Sequence, residues 1–330
     1  MKKILLIALL VFAAAFLAAC GGANGAAEDT IEPAERPTIR VAAMRGPTAM
    51  GLLRLMDEAQ NGETANNYEF ELFGSPDLVP PLLVRGEVDV AAVPANLAAV
   101  LYNNVDGAVQ ALAVVTLGVL HIVDTTDTIH SIEDLRGRTI FVSGQGATPE
   151  FALNYVLEQN GLTDEVTVEF RAEHTEIAAL LETGQAEIAL LPEPFVSTVS
   201  ARIDELRVAL DLSEEWSRVQ PDYGLIMSVV IARREFLENN PEAVAVFMEE
   251  YAASVQFVTA NIPAAAQLAV DFEIIPALPI AQAAIPRTNI VFLTGREMQD
   301  NLLGFFSVLY NALPASVGGE VPGQNFFFAQ

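Results

Sequence analysis

Four short stretches carry the side chains best suited to binding or reaction: Arg45-Gly46-Pro47-Thr48, Pro94-Ala95-Asn96, Ser143-Gly144-Gln145-Gly146-Ala147-Thr148 and Glu193-Pro194-Phe195. Arg45 offers a planar fork of donors that matches a carboxylate, sulfonate or phosphate, and the helix start that follows adds a field favouring an anion. An ion pair to a neighbouring acid is the plainer alternative. Thr48 and Thr148 suit helix caps, with Pro149 opening the helix after Thr148, and their hydroxyls are also ligand donors. Ser143 to Gly146 combine small side chains with open backbone N–H groups, so a ligand can approach closely. Glu193 suits a cationic or amino group, or else caps its own helix. Asn96 brings a donor and an acceptor. Phe195, Tyr223 and Trp216 could stack on a planar ligand, although core packing is the commoner fate of an aromatic ring. Together these residues describe recognition of a small molecule.

Covalent and metal chemistry find less support. Gly144-Gln145-Gly146 is not a dinucleotide fingerprint, because Pro149 occupies the third glycine position. No Gly-x-Ser-x-Gly elbow occurs, and Ser143 has no partner evident in the sequence. His121 lies in an apolar run, while His130 and His174 lie in polar stretches and are expected at the surface; no two of them have helical metal-ligand spacing. Asp124, Asp127 and Glu133 lack the glycine and spacing of a calcium loop. Both lysines, Lys2 and Lys3, sit at the extreme N-terminus, so no Schiff-base or P-loop lysine serves the rest of the chain. We expect no catalytic residues, no metal and no cofactor.

The 330 residues allow about two domains and a sizeable core. Seventeen basic residues against 43 acidic ones give a formal charge of -26. Phosphate neutralisation needs a basic face, so nucleic acid is excluded as a partner, and contact of the folded body with an anionic membrane is disfavoured. The first residues point elsewhere. Lys2 and Lys3 precede an apolar run, Ile4 to Ala19, that is too short to span a bilayer and has the form of a secretory signal. It ends in Leu17-Ala18-Ala19-Cys20, which resembles the bacterial lipobox and makes the only cysteine a lipidation site; an ordinary signal peptide with an incidental cysteine is the alternative. Gly21 to Pro37, rich in Gly, Ala and Glu, reads as a flexible tether.

An internal repeat supplies the elements that must hold the four loops. Thr38 to Met44 reads as a strand, followed by a loop and then Leu52, Leu53, Leu55 and Met56 at helical spacing; the same order returns from Thr139 to Ser143. Gly86-Glu87-Val88-Asp89-Val90-Ala91-Ala92-Val93-Pro94 parallels Gly184-Gln185-Ala186-Glu187-Ile188-Ala189-Leu190-Leu191-Pro192, apolar for apolar and acid for acid, 98 residues apart. Tyr68 to Phe73 and Val166 to Phe170 read as intervening strands. Two similar α/β lobes follow, with parallel sheets covered by helices. Ligands of such sheets bind beyond the carboxyl ends of the strands, which places the site at the four loops, in one cleft if the lobes face one another. Two apolar runs, Ala111 to Val123 and Leu225 to Ala232, look like crossovers forming a hinge. The remainder, with a helix from Pro241 and another from about Thr294 to Leu313, is expected to pack back on the first lobe.

With the lipobox, the repeat, Asp134-Leu135-Arg136-Gly137-Arg138-Thr139-Ile140, Glu193-Pro194-Phe195 and Ile285-Pro286-Arg287-Thr288-Asn289-Ile290, the chain resembles ABC-transporter substrate-binding lipoproteins. The branch it resembles is the nitrate, sulfonate and taurine type, which includes binders of thiamine precursors and riboflavin. The resemblance implies an α/β, two-lobed periplasmic-binding-protein-like fold of type II with a two-strand hinge. It divides the chain into a signal peptide (1–19), a lipid-anchored tether (20–37), lobe 1 (38–115 plus 230–330) and lobe 2 (116–229). It also implies a monomer on the outer face of the bacterial cytoplasmic membrane, capture of a small-molecule ligand between the lobes, and delivery to an ABC permease and its ATPase. Pyridoxal-lysine pyrimidine synthases and menaquinone-pathway enzymes share the fold; the lysine-free mature chain speaks against the first and the signal peptide against the second. A ligand-sensing receptor domain and an exported enzyme are the alternatives. A planar vitamin precursor is slightly preferred as ligand over an anion, because no arginine cluster occurs in the four loops.

Overall fold

Val90 to Pro94 and Ile188 to Pro192 are buried along almost their whole length, as strands covered by helices on both faces must be. By contrast Asn67 to Phe73 and Thr167 to Arg171 alternate between exposed and half-buried positions, as sheet edges do. A computed structural model of the chain, which describes residues 36–329, arranges these segments in two sheets. The expected signal peptide, the lipidation site Cys20 and all but the end of the tether lie outside the described residues.

The chain begins with β1 (Thr38–Met44), α1 (Pro47–Met50), α2 (Leu53–Gln60), β2 (Asn67–Phe73), α3 (Val79–Arg85), β3 (Val90–Pro94), α4 (Ala95–Asn104) and β4 (Val109–Leu117). It continues through β5 (Leu120–Asp124), β6 (Thr139–Ser143), α5 (Thr148–Gln159), β7 (Thr167–Arg171), α6 (His174–Glu182), β8 (Ile188–Pro192), α7 (Phe195–Ser200), β9 (Arg207–Asp211) and α8 (Leu212–Val219). It then returns as β10 (Ile226–Arg233), α9 (Arg234–Asn239), α10 (Pro241–Ala260), α11 (Ile262–Asp271), α12 (Leu278–Ala284), β11 (Ile290–Leu293) and α13 (Gly295–Ala312).

The described residues form a six-stranded sheet, in the order β11-β4-β10-β3-β1-β2, and a five-stranded sheet, in the order β7-β6-β8-β5-β9. Strands β1, β2 and β3 are parallel, as are β6, β7 and β8. Strand β10 runs antiparallel to β3 and β4, and β5 runs antiparallel to β8 and β9. The order β2-β1-β3-β10-β4 is therefore repeated as β7-β6-β8-β5-β9, with β11 added to the first sheet. At the head of each repeated segment a glycine adopts a left-handed conformation, Gly86 at φ 69° and Gly184 at φ 69°, where a side chain would strain the turn into the buried strand.

The lobes are joined by two adjacent passages. The apolar run from Ala111 is β4, Gly118-Val119 and β5, so it does cross. The run from Leu225 does not: Ile226 pairs with Leu117, and β10 lies wholly in the first sheet, leaving residues 220–225 as the return passage. Residues 116–117 and 226–229, expected in lobe 2, are thus part of the first sheet, where β4 and β10 pair and where the 226–229 segment is buried between β3 and β4. Successive β1 residues divide between two cores: Val41 joins the core that includes Phe247 and Tyr251 of α10, while Ala42 joins a core that continues through Ile140, Leu190, Trp216 and Phe305 into the second lobe. The tail packs on the first lobe through α10 and α11 against α2, as expected, but α13 also reaches α5 and Trp216 of the second.

Candidate functional site

An open cleft lies where the carboxyl ends of the parallel strands of the two sheets meet. The first-strand loops supply Arg45, Pro47 and Thr48 from one lobe and Ser143, Gly144, Ala147 and Pro149 from the other. Pro94 and Pro192 close β3 and β8 against it, and the strands beside the two passages add Leu120 and Met227. The loops after the second strands complete the wall with Gly74, Pro76, Ala172 and His174. Most of these side chains are apolar, so the cleft favours a solute with an apolar or flat body.

Among the uncharged polar groups, Ser143 and His174 form a pair. Ser143, at the end of β6, is buried, and its Oγ is hydrogen-bonded to His174 Nδ1 at the first residue of α6. The imidazole lies against the Phe195 ring, with centroids 4.8 Å apart. Burial pushes the His174 pKa down to about 4, so the ring is neutral near pH 7. Ser143 therefore has a partner that the sequence did not reveal, and His174 lies in the cleft wall, contrary to the surface position expected for it. A neutral ring bonded to Ser143 at Nδ1 can accept or donate hydrogen bonds in the cleft wall.

Arg45 is exposed at the mouth, where Nη1 donates to the Glu273 carbonyl at 3.0 Å. Among the described residues it pairs with no carboxylate, so the alternative of an ion pair to a neighbouring acid is not seen. Thr48 lines the cleft as the second residue of α1, and Gly46 rather than its hydroxyl stands at the cap. Thr148 is likewise no cap: α5 starts with it, Pro149 is the second residue, and its Oγ1 donates to Asn96 Oδ1 at 3.1 Å.

The remaining expected contacts lie outside the cleft wall. Gly46 is covered by the Phe195 ring, and Ala95 is buried behind β3. Gln145 and Gly146 border a separate surface groove with Ser75 to Asp77. Asn96 is fully buried and hydrogen-bonded. Glu193, 1% exposed, accepts from Ser197 N at 3.1 Å and Ser197 Oγ at 3.0 Å, so it ties the start of α7 instead of facing a solute. Tyr223 stands 41% exposed over Gly304, and its carbonyl accepts the Trp216 indole N–H at 2.7 Å. Trp216 is core, packed between Tyr155 and Phe305. Among the described residues no cluster of three His, Cys, Asp or Glu side chains could hold a metal, and no helix is long and apolar enough to cross a membrane.

A family model described as NMT1/THI5 like matches residues 74–266. Among solved structures, an ABC transporter protein from Parabacteroides distasonis superposes with a TM-score of 0.73 at 23% identity, covering 89% of this chain and 99% of its own. The alkanesulfonate-binding protein SsuA from Xanthomonas axonopodis pv. citri, bound to MOPS, gives 0.69 at 11%, with coverages of 88% and 96%. The nitrate-binding protein NrtA from Synechocystis PCC 6803 gives 0.60 at 14%, with coverages of 80% and 75%. At these identities the likeness is one of fold, the two-lobed periplasmic-binding-protein-like fold of type II. No curated protein sequence matches the chain.

Proposed function

Since the chain belongs to the NMT1/THI5-like family, we propose that it is the solute-binding protein of an ABC importer. In this reading it captures a small molecule in the cleft between two lobes, residues 36–117 plus 226–329 and residues 118–225, and delivers it to a membrane permease and its ATPase. The observation that carries the reading is the cleft itself, built from matching loops of both repeats at the carboxyl ends of their strands. Closure of the lobes over a solute that touches both raises the population of the closed state, which is the form a permease can distinguish. Of the solved structures named above, one is of an ABC transporter and two are of an alkanesulfonate-binding and a nitrate-binding protein, which favours binding and delivery over a sensing receptor or an exported enzyme. The protein works outside the cytoplasm as a monomer, anchored through a lipidated Cys20.

The solute is small and uncharged, with a flat or compact body against Met44, Pro94, Leu120 and Met227 and a hydrogen-bonding edge toward Ser143, His174 and Thr48. A planar vitamin precursor fits this description. Arg45, free of a carboxylate partner at the mouth, favours a second reading in which the solute carries an anionic group. Thermal unfolding against thiamine precursors, riboflavin, sulfonates, nitrate and short carboxylates tests both. A true solute at about 100 times its Kd adds roughly 2.7 kcal/mol. A shift with neutral planar compounds supports the first reading, a shift with anions alone supports the second, and no shift in ligand-free protein contradicts both.

A further inference from the structure

The third-strand loops of the two repeats turn away from the cleft and grip the opposite lobe. Asn96, just beyond β3, donates through Nδ2 to the Gly146 carbonyl at 3.0 Å and accepts through Oδ1 from Thr148 Oγ1 at 3.1 Å. Gly146 belongs to the loop after β6 and Thr148 is the first residue of α5, both in the second lobe. The same Nδ2 donates to the Ser316 carbonyl at 3.2 Å, which belongs to the tail of the first lobe and fixes the amide at home. In the second repeat the corresponding loop holds Glu193 to Phe195. Phe195 covers Gly46 so closely that a Cβ there would come within 3.3 Å of its ring, and Glu193 Oε1 lies 3.8 Å from Arg287 Nη1 of the first lobe. Each lobe thus holds the other from the same place in its repeat, and the solute cleft lies between the two contacts.

The two contacts differ in kind. Phe195 on Gly46 is apolar, and the nearby ion pair involves an Arg287 side chain that is 62% exposed, so water and salt weaken it. Asn96 and Thr148 are fully buried, and their hydrogen bonds are directional and shielded. The geometry points to Asn96 as an interlobe latch: a positioning residue that holds the lobes closed in the absence of solute and sets the equilibrium between open and closed forms. Its meaning for affinity rests on the solute-binding reading, since a solute that binds the closed form is held more tightly as that form is more populated. The latch itself can be tested without any solute.

The test is hydrogen exchange of the full chain, with no solute added, in wild type, Asn96→Ala, Thr148→Val and the double variant. Loss of a buried hydrogen bond across the cleft raises the open population about fivefold. The latch predicts that amides of residues 193–198, on the far wall, exchange about fivefold faster in Thr148→Val and faster still in Asn96→Ala, which loses both interlobe hydrogen bonds, and that the double variant is no faster than Asn96→Ala alone. Unchanged protection in β1 and β6 reports an intact fold; Thr148→Val leaves Asn96 anchored to Ser316 should Asn96→Ala fold poorly. Acceleration confined to residues 94–99 and 314–318, additive effects of the two changes, or no acceleration at all would overturn the latch. Because no solute enters this measurement, its failure leaves the solute-binding reading standing, and failure of every solute in the panel leaves the latch standing.

Discussion

Ser143 Oγ and His174 Nδ1 are hydrogen-bonded although they stand 31 residues apart, one at the end of β6 and the other at the start of α6. The pair joins two neighbouring strand ends of the second lobe and sets a neutral imidazole in the wall of the cleft. Burial is the cause of its low pKa of about 4, and the unfolded chain has the ordinary histidine value of 6.5. Between these values the unfolded state binds a proton that the folded state refuses, so stability rises with pH across this window and is fully present above it. Acidification from pH 7 to 4 should destabilise the protein through this group by at most about 3 kcal/mol. Urea unfolding of wild type and His174→Gln across that range checks this; equal slopes of stability against pH would contradict it.

Asp89 and Glu187 occupy equivalent places in the repeat but have unlike surroundings. Asp89 is buried; burial alone would push its carboxyl up, but hydrogen bonds from Arg40 at 2.6 Å and 2.9 Å and from Arg233 at 2.9 Å outweigh it and hold the carboxyl below the usual range. Glu187 is 62% exposed and meets only Arg138, at 3.2 Å. Replacing Asp89 by Ala should cost about 3 kcal/mol near neutral pH. The difference should shrink as pH falls below the ordinary carboxylate value, because the unfolded chain then takes up the proton first. Glu187→Gln should cost less than about 0.5 kcal/mol. Chemical denaturation of the two variants reads the contrast directly, and equal losses would contradict it.

Trp216, the one tryptophan of the chain, ties the lobes together. It belongs to α8 of the second lobe, yet its ring meets Phe305 of the tail helix α13 with centroids 5.7 Å apart. A core that runs through both lobes should unfold as one unit. Tryptophan fluorescence and far-ultraviolet circular dichroism are expected to give coincident transitions, and separated midpoints would show independent lobes. Trp216→Ala, followed by circular dichroism, should lose about 3–5 kcal/mol.

The repeat was legible because its signals are local: a glycine that turns a helix end, a short buried run and a closing proline recur in Gly86 to Pro94 and Gly184 to Pro192, and they became β3 and β8 of identically ordered sheets. The lining of the candidate cleft was legible at Arg45, Pro47, Thr48, Pro94, Ser143 and Gly144, which follow from the rule about strand ends. It was not legible in the loops after the second strands, which hold Gly74 and Ala172 and have no distinctive composition. His174 was misread from its polar neighbours Glu173, Thr175 and Glu176. Helical spacing gave the better signal, since His174, Ile177, Ala178 and Leu181 share one face and the last three are buried. Asn96 and Thr148 could not be paired from sequence, because a hydrogen bond between lobes depends on how the two sheets meet, and the same holds for Tyr223, whose ring lies over Gly304 of α13.

The central claim, that this cleft holds a small molecule without transforming it, is tested most directly by titration calorimetry of the full chain with whichever panel compound gives the largest thermal shift. One solute is expected to bind per chain and to be recovered unchanged, with Ser143→Ala and His174→Ala each weakening affinity roughly tenfold while leaving the fold intact. Conversion of the solute to product, or an affinity that is the same in both variants as in wild type, would contradict it.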